Sequence, residues 1–274
     1  MSGQGRKDSR LSGHDPPPKP LVTVAAPLAI TSALHGELRA LLPLLDAPRI
    51  VELAGRRFHL GHIGGQPVVL VLSGIGKVAA AATVTLLIHH FGASRLLFTG
   101  AAGGLHGEVA VGDVVVARAL MQHDMDASPL FPRFEVPLTG KTHFAADAAL
   151  SDELARAATR CLARAEALIG RQHLAEFGIA HPRVHQGLVA SGDRFICSAD
   201  ASRDLRALLP EALAVEMEGA AFAQVCSDFA RPYAVLRCIS DRADDSAHVD
   251  FERFIAEVAS VYTRMLVLDW LGGV

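Results

Sequence analysis

The sequence predicts an α/β domain built on a mixed sheet, and three features carry that expectation. Short β-branched apolar runs recur along the chain and end in glycine or charge. Helical patterns separate some of these runs but not all, which disfavours a purely parallel sheet. With 274 residues, half of them hydrophobic, the chain can bury one large core.

Residues 1–20 are polar and close on Asp15-Pro-Pro-Pro-Lys-Pro20 without the apolar core of a secretory leader. They read as a disordered tail, and residues 21–274 as one domain. The formal net charge is −3 and no basic tract exceeds Arg56-Arg57, so the electrostatic footprint of a nucleic-acid binder is missing. A small neutral or zwitterionic ligand fits better. Cys161, Cys197, Cys226 and Cys238 lack any C-x-x-C spacing and read as reduced thiols of a cytosolic protein. Apolar runs break before the roughly 18 to 20 residues that cross a bilayer, so no membrane association is expected.

In chain order, Leu21 to Ala26 has the alternation of a first strand, and Ala33 to Leu42 takes helical spacing with Glu37 off its apolar stripe. A carboxylate there ordinarily serves the helix dipole. Arg57 to Ile63 and Pro67 to Ser73 form a hairpin through Gly64-Gly-Gln66. The second strand runs into Ser73-Gly-Ile-Gly-Lys77 and an alanine-rich helix, Val78 to Phe91. Glycines at such a junction let backbone N–H groups approach a ligand, although tight packing explains them equally well. Arg95 to Thr99 is a strand feeding a second bend, Gly100-Ala-Ala-Gly-Gly-Leu105, and Val114 to Ala117 is another strand.

His123-Asp-Met-Asp126 invites a metal, but no histidine partner stands at ligand spacing, and a loop held by Asx-type bonds explains it better. Pro129 to Thr142 is irregular yet hydrophobic, the pattern of a lid over a pocket or partner. Asp147 to Arg171 reads as one long amphipathic helix. Val184 to Ala190 is a strand ending in Ser191-Gly-Asp-Arg-Phe-Ile196, where Phe195 suits either a flat ring ligand or the core. Leu213 to Glu218 is a strand with carboxylates at its end, followed by a helix through Phe229. Pro232 to Ile239 is the last strand and delivers Ser240-Asp241, and a helix from Phe251 to about Leu268 closes the chain.

Buried carboxylates at strand ends are costly unless donors satisfy them, and ligands of α/β sheets sit beyond strand carboxyl ends. The Gly100 bend, Phe195, the pair Glu216 and Glu218, and Asp241 therefore form one candidate site. With no cationic cluster nearby, it suits a sugar-and-base ligand.

Five segments in order resemble the nucleoside phosphorylase and hydrolase superfamily: Ser73-Gly-Ile-Gly-Lys-Val-Ala79, Thr99-Gly-Ala-Ala-Gly-Gly104, Ser191-Gly-Asp-Arg-Phe-Ile196, Val215-Glu-Met-Glu-Gly-Ala220 and Ile239-Ser-Asp-Arg-Ala-Asp244. The likeness is strongest to the 5′-methylthioadenosine/S-adenosylhomocysteine nucleosidases. It implies a three-layer α/β/α domain around a mixed, partly barrel-like sheet, hydrolysis of an N-glycosidic bond, no cofactor or metal, and a homodimer whose 129–142 segment borders the neighbouring pocket.

By the same resemblance Asp241 is the general acid that protonates departing adenine, and Ser240 shapes its loop. Glu218 holds the ribose hydroxyls, Met217 packs on the sugar, and Glu216 supports them. Phe195 stacks on the base while the Ile196 backbone reads its edge. Glu37 positions the attacking water, and Ala101 and Gly103 line the substrate. An aspartate that donates near pH 7 needs its pKa raised by roughly 3 units above ~3.9. Two alternatives stay open: a phosphate-dependent phosphorylase, and a non-catalytic nucleoside-binding protein, the latter because Ser32-Ala-Leu-His-Gly-Glu-Leu38 and Ala101 depart from the family's pattern beside the water site. Phe98 and the arginine-free stretch from Pro27 to Glu37 argue against phosphate.

Overall fold

A computed structural model describes residues 25–243 and 251–272. The expected tail, residues 1–20, lies outside them. Among the described residues the first strand, β1, is Leu28–Ser32, and most of the strand expected over Leu21 to Ala26 lies outside them. Residues 21–24 are outside the described range, and Ala25 and Ala26 are irregular. Every residue of β1 is buried, because it sits mid-sheet with helices on both faces.

The remaining strands are β2 (Asp46–Leu53), β3 (Arg56–Ile63), β4 (Gln66–Leu72), β5 (Arg95–Gly104), β6 (Val114–Gln122), β7 (Phe144–Ala145), β8 (Val184–Ser191), β9 (Ala212–Glu216) and β10 (Tyr233–Asp241). They form one mixed sheet. One wing runs β5-β1-β4-β3-β2, and the other closes on itself because β5 pairs with both β9 and β10. The ring β5-β10-β6-β8-β9 makes the sheet partly a barrel. Only a long strand can serve both neighbours, and β5, at ten residues, runs through the whole glycine-rich bend.

The helices are α1 (His35–Leu41), α2 (Lys77–His89), α3 (Ala148–Leu162), α4 (Ala165–Ile169), α5 (Arg171–Glu176), α6 (Ala199–Leu208), α7 (Gly219–Asp228), α8 (Phe251–Phe254) and α9 (Ser260–Trp270). A π-helical turn, Ile255–Ala259, joins the last two. Leu28 and Ile30 of β1 pack with α1, α3 and α9, whereas Ala29 faces the core of α2 and α7. This alternation across one strand gives the three layers. The long helix expected from Asp147 is three pieces: Gly170, at φ 98°, separates α4 from α5. Asp147 caps α3 by accepting the Leu150 N–H at 2.9 Å, as its position predicts.

Candidate active site

A β-bulge does the first work of assembly. Along β10 and β5, Ile239 pairs with Ala102, and the next partner of Gly103 is Asp241, so Ser240 is the extra residue. Bulges re-aim side chains, and this one brings the Asp241 carboxylate against Gly103. A Cβ at Gly103 would lie 2.9 Å from Asp241 Oδ1 and 2.8 Å from the Ala243 Cβ, so only glycine admits this approach. Asp241 Oδ2 accepts from the Ser240 hydroxyl at 2.7 Å and Oδ1 from the Ala243 N–H at 2.7 Å.

The acidic strand end divides its labour. β9 stops at Glu216, and α7 begins three residues later, so the two carboxylates leave different backbone geometries. Glu216 turns inward. It accepts the N–H groups of Glu218 (3.0 Å) and Gly219 (2.8 Å), pairs with Arg237 Nη2 at 2.6 Å and meets the Ser191 hydroxyl. It thereby caps α7 and neutralises a buried cation at once. Glu218 instead reaches across the cavity, where Oε1 accepts the Gly76 N–H at 2.8 Å. Burial first, and the Glu216 charge second, push the Glu218 carboxyl above the usual range.

Arg237 is the residue that strand reading misses. It lies fully buried within β10, its guanidinium 4.2 Å from the Phe98 ring centroid. The earlier expectation of a site without a cation is therefore corrected: the arginine arrives from β10 rather than beside the glycine bend. A lone arginine in the apolar run Val235 to Ile239 was the available signal, since a buried charge requires a partner. Gly100 marks where it meets Glu37. A Cβ there would stand 3.0 Å from Arg237 Nη1 and 3.4 Å from Glu37 Oε1.

Glu37 is wholly buried at the start of α1 and accepts the Leu34 N–H through Oε2 at 3.3 Å. Its Oε1 and the Nε of Arg237 have no partner among the described residues. Burial raises the Glu37 carboxyl from 4.5 to about 7 against the lowering pull of Arg237. Burial thus favours the neutral form of Glu37, while Arg237 and the N–H groups of Leu34 and Ala101 favour its charged form.

All ten residues picked from the sequence line one cavity: Glu37, Ala101, Gly103, Phe195, Ile196, Glu216, Met217, Glu218, Ser240 and Asp241. Leu34, Ile75, Arg194, Arg237 and Phe251 complete much of the wall. Phe195 is 46% exposed, so its ring faces the cavity mouth rather than the core. Nothing from 129–142 lines the cavity of its own chain, which corrects the lid expectation for a single chain. Asp126 accepts the Ser128 N–H at 3.0 Å, the Asx-type closure expected of that loop. Among the described residues no three His, Cys, Asp or Glu side chains are grouped to hold a metal. Nor is any helix long and apolar enough to cross a membrane.

A profile of the phosphorylase superfamily matches residues 27–269, the span that carries every strand and the whole cavity. The chain belongs to this superfamily. Within it, the chain falls in the family of the 5′-methylthioadenosine/S-adenosylhomocysteine nucleosidases. The nucleosidase of Shewanella denitrificans is 34% identical over 244 residues, which covers 89% of this chain and 98% of that one. The Neisseria meningitidis enzyme, solved with methylthio-immucillin-A, is 31% identical with a TM-score of 0.76, covering 90% of this chain and 99% of that one. The Colwellia psychrerythraea enzyme, solved with adenine, is 33% identical with a TM-score of 0.76, covering 90% and 95%. The nucleosidase fold thus extends over nearly all of the described chain.

Proposed function

We propose that the chain hydrolyses the N-glycosidic bond of 5′-methylthioadenosine or S-adenosylhomocysteine and releases adenine. The observation that carries this reading is the placement of Glu37 and Asp241 at two points of one strand, Gly100 and Gly103. The ligands named for the solved relatives support the substrate class.

In this reading the C1′–N9 bond breaks with its electron pair leaving on adenine, while protonated Asp241 gives its proton to an imidazole-ring nitrogen of the base. Ser240 can turn its hydroxyl to accept from the acid form. Positive charge develops on the ribose, where Glu218 holds the hydroxyls and Met217 packs on the sugar. Water adds to C1′ and gives its proton to Glu37, whose free Oε1 faces the same wall as Arg237. Phe195 stacks on the base, and the buried Ile196 sets the backbone that reads its edge.

Arg237 gives phosphorolysis its best support, because a phosphate dianion needs a guanidinium. Its partner Glu216 already neutralises it, and Glu37 beside it, once ionised, would repel a phosphate. A dianion would meet more repulsion than attraction, so water is the nucleophile we favour. The intact Asp241, Glu218 and Glu37 set also favours turnover over a non-catalytic binder.

The test is incubation with methylthioadenosine with and without phosphate. Adenine and free methylthioribose in phosphate-free buffer are expected. A strict phosphate requirement, or no adenine at all, overturns the reading. Asp241→Asn should fold and lose roughly 10²- to 10⁴-fold in kcat, the ordinary worth of a general acid. We also infer a cytosolic homodimer.

A further inference from the structure

Two sequence features remain outside this chemistry, the lysine of Ser73-Gly-Ile-Gly-Lys77 and the acidic loop His123-Asp-Met-Asp126. In the structure they are partners. Lys77 Nζ lies 2.7 Å from Asp124 Oδ1 and 3.1 Å from Gln122 Oε1. The other Asp124 oxygen accepts the Asp193 N–H at 2.8 Å. Asp193 in turn accepts the backbone N–H of Lys77 through Oδ1 at 2.8 Å, closing a loop of contacts.

The two ends of this loop touch opposite sides of the cavity. Asp193 stands two residues before Phe195, in a segment also tied by the Gly192 N–H to the Glu216 carbonyl at 3.1 Å. Gly76, next to Lys77, gives its N–H to Glu218. Glycine is needed there, because φ is 93° and a Cβ would stand 3.1 Å from Asp193 Oδ1. The amino end of α2 thus serves the Phe195 loop and the sugar carboxylate with consecutive N–H groups. The Lys77 side chain is largely covered, and although burial pulls the Asp124 carboxyl upward, the lysine and the Asp193 N–H hold it below the usual range.

We propose that Lys77 is a positioning residue which, through Asp124 and Asp193, fixes the Phe195 ring at a set distance from Glu218. It touches neither base nor sugar. Its effect is to spare the ligand the cost of ordering the ring loop, so its loss weakens binding more than turnover. The proposal rests on the adenine reading of the cavity for its ligand measurements, but not for its structural one.

The experiment compares the full-length chain with Lys77→Met, Lys77→Arg and Asp124→Asn. Amide hydrogen exchange of residues 192–196, without ligand, should quicken in Lys77→Met and Asp124→Asn and change little in Lys77→Arg. Adenine affinity by calorimetry should fall about tenfold in the first two, with kcat within about threefold of wild type. Asp124→Asn should have a smaller effect in the Lys77→Met background than alone, because both remove the Lys77–Asp124 pair, although Lys77 also lies 3.9 Å from Asp193 Oδ2. Adenine is uncharged, so salt should weaken its binding to the wild type and not to Lys77→Met.

Unchanged exchange in Lys77→Met overturns the latch whatever the ligand. So does a large loss of kcat at unchanged adenine affinity, which would make Lys77 part of the chemistry. If Lys77→Met fails to fold, Asp124→Asn carries the same exchange and affinity measurements. If the wild-type chain binds no adenine, yet exchange quickens in Lys77→Met, the ligand reading is overturned and the latch stands.

Discussion

Glu37 shows how one residue couples stability to chemistry. Its carboxyl is raised from 4.5 to about 7, mainly by burial, so between those values the folded chain binds more protons than the unfolded one. The contribution of Glu37 to stability is then greatest below about pH 4.5 and is lost as pH rises through about 7. Above that, the buried charge costs on the order of 3 kcal/mol, the equivalent of the shift. Glu37→Gln should therefore melt higher than wild type at pH 8 and nearly with it at pH 4.5, while losing activity at both. Thermal melts across pH test this, and equal melting at pH 8 would show that the charge is relieved elsewhere. The wild-type kcat/KM should rise through about pH 7 as Glu37 becomes able to accept the proton of water. Arg237 was hidden from sequence reading for a related reason: its neighbours Leu236 and Cys238 describe a buried strand, and only the rule that buried charges need partners would single it out.

At the scale of elements, the strand ends were legible and the connections were not. Glycines and carboxylates after apolar runs mark chemistry that packing alone would not place there, which is why β5, β8, β9 and β10 were read with their functional ends. β1, Leu28–Ser32, was not read from the sequence, because a strand buried on both faces needs no alternation. β2 was missed because Pro48 and Ala47, at φ 48°, interrupt it; it survives as an edge strand, where a missing N–H is tolerated. α6 carried a readable signal, Ser198 accepting the Ala201 N–H at 3.3 Å. The bulge at Ser240 had none, since register depends on a partner strand. Its requirement can still be tested at Gly103. Gly103→Ala should push Asp241 and Ala243 away and reduce kcat by about tenfold or more, in line with the sensitivity of positioned groups to small displacements. Gly107→Ala, where a Cβ meets nothing within 4 Å, serves as the control. Equal activity in both variants would mean that Asp241 does not need the approach the bulge provides.

The whole molecule bears on specificity through a surface rather than through the cavity. Leu130 and Leu138 are 83% and 90% exposed, and Ile75 and Val78 are exposed beside the cavity wall formed by Ile75. A contiguous exposed patch of large apolar side chains would mark an interface. Since residues 129–142 do not line their own cavity, their hydrophobicity serves a ligand only if it covers the cavity of a second copy. In the proposed homodimer this segment finishes the partner's cavity, and light scattering should give twice the 29.0 kDa chain mass. Leu130→Glu with Leu138→Glu should shift that mass toward one chain. If the segment meets the 5′ substituent, KM for methylthioadenosine should rise while adenine affinity stays near wild type, because adenine has no 5′ group to lose contact. A wild-type monomer with full activity would remove the interface. A dimer that persists in the double variant with KM unchanged would assign these leucines to no interface and return 5′ selectivity to Leu34, Ile75 and Phe251 of the chain's own cavity.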